Sequence, residues 1–135
     1  VAPPRTGARL AMPTQRQLRV NNLIRHELAD IVLREMDDPA LGFCTITGVD
    51  VSVDLRHAKV FVSVLGDGEA KRKTMGALIR ARHFIRGHLR DRLDLRHIPE
   101  LIFRLDDTAE KAQQIEQLLR DVAEESSEAD DIQQP

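Results

Sequence analysis

Apolar residues recur at helical spacing near the start of the chain, at Val20, Leu23, Ile24, Leu28, Ile31 and Val32, and the pattern continues to Met36. That period predicts a helix with one buried face. Thr14 followed three residues later by Gln17 fits a capping box and marks its start. Asp37-Asp38-Pro39 stops it, because proline holds the residue before it out of the helical region. From Cys44 the period falls to two. Cys44 and Ile46 are apolar on even positions and Val49, Val51 and Val53 on odd ones, so the register slips by one near Thr47-Gly48 and a β-bulge is expected there. After a turn over Asp54 to His57, Ala58, Val60, Val62 and Val64 alternate with Lys59, Phe61, Ser63 and Leu65, which predicts a second strand and a hairpin.

Gly66-Asp67-Gly68 ends that strand. Met75, Leu78, Ile79, Ile85, Leu89 and Leu93 then follow helical spacing over residues 69–94, a span too long for one helix in so small a domain, so a break is expected near residues 81–84. Pro99 precedes a short strand, Leu101 to Leu105. Asp107-Thr108 with Glu110 predicts the start of a last helix whose Ala112, Ile115, Leu118, Leu119 and Val122 form an apolar stripe. The expected organisation is a disordered arm over residues 1–13, one α+β domain over 14–124 in the order αββααβ plus a C-terminal helix, and a disordered acidic tail over 125–135.

Composition narrows the function classes. With 135 residues, 41% apolar and 31% charged, the chain suits one domain. No stretch approaches the roughly 18 consecutive apolar residues of a membrane helix, and the start lacks the apolar run of a secretory signal, so a cytoplasmic location and no membrane partner are expected. One cysteine, Cys44, supplies neither a disulfide nor a zinc site, and a buried structural thiol is expected. The histidines, His26, His57, His83, His88 and His97, show no i, i+4 pair that would place two ligands on one helix face. No nucleophile motif or phosphate loop is complete. The expectation is therefore no catalytic residue, no metal and no cofactor. Four Phe and no Tyr or Trp also disfavour RNA binding by base stacking.

Charge is the informative feature. Residues 71–105 carry ten Lys/Arg against three acids (+7), whereas residues 106–135 carry two against ten (-8). This polarity suggests a basic surface for a polyanion and an acidic segment that solubilises or masks it. Arg82, Arg86 and Arg90 lie at i, i+4 and i+8 on a helix, a like-charge row that costs roughly 0.2 to 0.5 kcal/mol per pair. A row that costs stability when empty points to phosphate, and the spacing relative to Ile85 and Leu89 predicts exposed guanidinium heads. Lys71, Arg72, Lys73, Arg80 and His83 complete the expected RNA-binding set, with Arg16 and Arg19 as the next candidates. Gly76 and Gly87, inside the expected helices, fit either close packing on the sheet or close approach of a partner.

The αββααβ order with a basic helix pair is the layout of a type II KH domain, with helices on one face of a three-stranded sheet. Within it, Arg16-Gln17-Leu18-Arg19-Val20, Asp38-Pro39-Ala40-Leu41-Gly42-Phe43, Asp54-Leu55 with Ala58-Lys59-Val60, Phe84-Ile85-Arg86 and Pro99-Glu100-Leu101 resemble, in order and spacing, the bacterial ribosome-binding factor A family over about residues 16–107. The resemblance implies a non-enzymatic assembly factor, monomeric, that binds the immature small ribosomal subunit and its rRNA and supports maturation of the rRNA 5′ end, especially in the cold. An assembly GTPase as a further partner is an expectation of the resemblance alone. It also implies a helix kink at Ala81-Arg82-His83, where His83 stands in place of the family's glycine. The other reading of the same charge is an adaptor whose basic helices dock an acidic protein.

Overall fold

The computed structural model describes residues 12–133, with side chains described as far as residue 126. The expected arm, apart from Met12 and Pro13, and the last two residues of the expected tail lie outside that range. The elements are α1 (Gln15–Arg34), β1 (Cys44–Val51), β2 (His57–Val64), α2 (Gly68–Arg80), α3 (Arg82–Arg92), β3 (Glu100–Leu105) and α4 (Thr108–Gln133). The sheet order is β1-β2-β3, with β2 antiparallel to β1 and parallel to β3.

The capping box forms as expected. Gln17 N–H donates to Thr14 Oγ1 (3.1 Å) and Thr14 N–H to Gln17 Oε1 (2.8 Å). Gln17 also does something the sequence does not announce. Its Nε2 donates to the Val51 carbonyl (3.1 Å), while the Val51 N–H donates to Asn21 Oδ1 (2.8 Å). The first turns of α1 thus satisfy the free edge of β1, which would otherwise leave buried backbone groups unpaired. The buried face of α1 is Val20, Ile24, Leu28, Ile31 and Val32. Leu23, expected among them, is 43% exposed at the rim.

The bulge falls between Ile46 and Gly48. The hairpin turn comes earlier than expected. Strand β1 ends at Val51, and Val53, expected in the apolar row, is 80% exposed. Local hydrogen bonding wins over alternation here. Asp54 Oδ1 accepts from the Ser52 hydroxyl (2.6 Å) and the Arg56 N–H (3.1 Å), and Ser52 Oγ accepts from the His57 N–H. Leu55 takes a left-handed conformation (φ 61°) in this turn and packs its side chain on the core, which offsets the backbone strain.

Ala58, Val60, Val62 and Val64 of β2 are all buried, against Val49 and Val51 of β1, Leu101 and Phe103 of β3, and the three helices α1, α2 and α3. The parallel pairing of β2 with β3 is bridged by α2 and α3. Gly66 turns the chain into α2 at φ +133°, where a Cβ would lie 2.8 Å from the Ala70 side chain, so only glycine fits. Asp67 caps the helix through the Ala70 N–H. Buried Thr74 then takes the Gly42 N–H on its hydroxyl (3.2 Å) and ties the Asp38–Gly42 loop to α2. The break between α2 and α3 is one residue, Ala81, at φ -87° and ψ 6°. His83 is helical, and Leu55 is the only non-glycine residue at positive φ among the described residues. The kink therefore needs no glycine at 83. Ile79, expected in the buried row, is 48% exposed beside the kink.

At the far end of α3, Arg92 reaches across to α1 and bonds Glu27, Asp30 and Glu35. The Arg92 guanidinium, aided by Arg34, holds the Asp30 carboxyl below its ordinary value.

The chain divides into two compact units, one ending at Leu105 and one beginning at Asp106. The first unit ends where β3 ends, short of the expected boundary at 124. The second is α4, entered through Asp106, whose Oδ1 accepts from the Thr108 N–H and hydroxyl. Its backbone stays helical to Gln133, where the composition predicts a disordered tail over residues 125–135. Glu, Ala and Gln in that segment are good helix formers and no proline interrupts it before 135.

Gln17→Ala strands the buried Val51 carbonyl and opens the cap, and should cost about 1 to 3 kcal/mol in urea unfolding. Because the Asp30 carboxyl is lowered in the folded state, its contribution is fully present above its ordinary 3.8 and is lost as pH falls through the lowered value. Asp30→Asn should flatten that acid limb in a pH series of thermal midpoints.

Candidate nucleic-acid interface

The basic residues of α2 and α3 sort by whether the protein itself uses them. On a helix turning about 100° per residue, Arg82 lies only about 20° and 60° round from Leu89 and Ile85. Each i+4 step moves the row about 40° further toward solvent. Arg82 and Arg86 are accordingly half-buried, and only Arg90 is exposed. Arg86 Nη2 donates to the Ile98 carbonyl (2.9 Å) and Arg82 Nη1 approaches the Leu101 carbonyl (3.4 Å). These carbonyls belong to β3 and the loop before it, so two of the three arginines brace the edge of the sheet. The expectation that the row is exposed and plays no part in folding is corrected on this point. The drift of 3.6-residue geometry relative to a spacing of four is the reason.

Lys73 pairs with Glu69 (3.3 Å) on the helix surface, and Lys71 is half-buried and not free. Arg72, Arg80, His83 and Arg90 are exposed, and no hydrogen bond or ion pair of their side chains is present among the described residues. Arg80 and His83 lie on either side of the break at Ala81. Arg72 lies about 12 Å back along α2, at roughly 1.5 Å per residue. Arg96, in the loop that Arg86 holds through Ile98, is likewise exposed and unpaired. Sequence periodicity could not single it out, because it sits outside any helix. Arg16 and Arg19 on α1 are also exposed and unpaired.

Phe84 is 47% exposed and meets the His88 ring edge-on, with centroids 4.6 Å apart. A Cβ on Gly87 would meet nothing within 4 Å, and one on Gly76 only the flexible end of Arg80. Close packing on the sheet therefore accounts for neither glycine.

Burial raises the pKa of the half-buried Cys44 thiol, which keeps it protonated. No group of three or more His, Cys, Asp or Glu that could hold a metal occurs among the described residues.

Comparison with known proteins places the chain in a family. The family model described as ribosome-binding factor A matches residues 16–119. Ribosome-binding factor A of Halothermothrix orenii is 46% identical over 114 residues, covering 84% of this chain and 93% of that protein. The protein of the same name from Thermomicrobium roseum is 47% identical, covering 84% and 88%. Among solved structures, a putative ribosome-binding factor A from Thermotoga maritima superposes with a TM-score of 0.61 at 34% identity, covering 69% of this chain and 89% of that one. Thermus thermophilus ribosome-binding factor A, as a homology-based structure fitted into an electron-microscopy map of its complex with the 30S subunit, gives 0.54 at 26% identity, covering 64% and 90%.

The division into braced and free arginines has a direct check. Arg86→Ala removes a charge-assisted bond to a part-buried carbonyl and should cost about 1.5 to 3 kcal/mol. Arg90→Ala should stay within about 0.5 kcal/mol of the parent, as exposed changes do. Parallel urea titrations of the two variants measure the difference.

Proposed function

The chain belongs to the ribosome-binding factor A family, and from that premise we propose that it is a ribosome assembly factor that binds the immature small ribosomal subunit and supports maturation of the 5′ end of its rRNA. The observation that carries the proposal is the set of cations the fold leaves unused. Arg72, Arg80 and Arg90, with His83 and Arg96, are exposed and unpaired on and beside a helix pair whose other basic residues turn inward or pair locally. Unpaired exposed guanidinium groups are well suited to phosphate, and their contacts carry affinity without reading sequence. The relative bound to the 30S subunit supports the choice of rRNA as the polyanion.

The proposal assigns no reaction to this chain. On this reading the chain acts as a monomer in the cytoplasm, with an assembly GTPase as a further partner. No helix among the described residues is long and apolar enough to cross a membrane.

Four phosphate contacts, from Arg72, Arg80, Arg90 and Arg96, should make log K for small-subunit rRNA fall with log salt at a slope of about -3 to -4. Arg80→Glu with Arg90→Glu should leave the thermal midpoint nearly unmoved. The same pair should abolish co-sedimentation with immature small subunits and leave 5′-unprocessed rRNA to accumulate in cold-grown cells. A slope near zero, with undiminished binding to an acidic protein, would favour the adaptor reading instead. If the double variant still binds the subunit, the phosphate surface lies elsewhere and Arg16 and Arg19 are tested next.

A further inference from the structure

Helix α4 carries an exposed apolar face. Ile115, Leu118, Leu119 and Val122 follow one another at i, i+3, i+4 and i+7, which gathers them into one stripe, and they are 58%, 64%, 63% and 58% exposed. The same spacing on α1 gives a face whose residues are buried on the sheet. Acidic residues border the stripe, Glu116 on one side and Asp121 and Glu125 on the other, by position on the helix. Over Thr108–Gln133 eight acids stand against two bases, a net -6. The family match runs to residue 119 and so takes in the first three stripe residues.

Charge decides the occupant. RNA would meet carboxylates at the rim of the stripe, and a second copy would set two helices of net charge -6 side by side. A basic protein surface with an apolar groove satisfies both the stripe and its rim. We propose that α4 is a docking helix for a basic protein, inserting Ile115, Leu118, Leu119 and Val122 into an apolar groove flanked by lysine and arginine. Given the function proposed above, that protein belongs to the small subunit. The chain then holds its target through two chemistries, cations on α2 and α3 for phosphate and an acidic apolar helix for protein.

The test uses the full chain and, as probe, the proteins of purified small subunits freed of rRNA. The wild-type chain should retain one or a few basic proteins, identified by mass spectrometry, with hydrogen-exchange protection confined to residues 112–124. Leu118→Ala with Leu119→Ala keeps good helix formers and should weaken that capture at least about tenfold. The same variant should bind naked rRNA as wild type does. Capture without protection of 112–124, capture unchanged in the variant, self-association through the stripe, or no capture would each overturn the docking helix. The rRNA measurement stands apart from these, so failure of the phosphate surface is recognised separately.

Discussion

The parallel pairing of β2 with β3 is the constraint from which the rest of the molecule follows. An antiparallel neighbour can be reached through a tight turn, and β1 and β2 are joined that way. A parallel neighbour requires the chain to travel back along the sheet before it pairs. Residues 65–99 make that return, and they carry the helix pair with its basic side chains. The basic surface is therefore built from the segment that the topology must spend on the crossover.

That crossover has two obligations, and its cations divide between them. The sheet has three strands, so both β1 and β3 are edges and both need polar partners. On β1 the partners are Gln17 and Asn21 at the start of α1. On the β3 side they are Arg82 and Arg86 from α3. Arg92 extends the same logic, its guanidinium shared among three carboxylates that bind α3 to α1. Only the arginines left over after these uses are available to a ligand. A count of ten basic residues in the segment overstates the free cationic surface for this reason.

The second unit reverses the chemistry of the first. Helix α4 is acidic and amphipathic, and its apolar residues stay exposed where those of α1 are covered. A binding factor for a ribonucleoprotein particle meets two kinds of surface, one of phosphate and one of protein. The opposite charges of the two units suit that division.

The sequence alone determined the element order, the capping box, the bulge at Thr47-Gly48, the kink near residue 81, and the family, because each is a local pattern: a period, a side chain three residues from its partner, a register slip, a string of short motifs. It also located the basic and acidic segments, since charge adds along the chain whatever the fold. It could not say that Gln17 also serves the edge of β1, or that Arg82 and Arg86 turn to carbonyls on the β3 side. Those facts depend on which backbone groups lie opposite which side chains across 12 to 34 residues of sequence, and hydrogen-bond partners at that separation exist only once the sheet has formed.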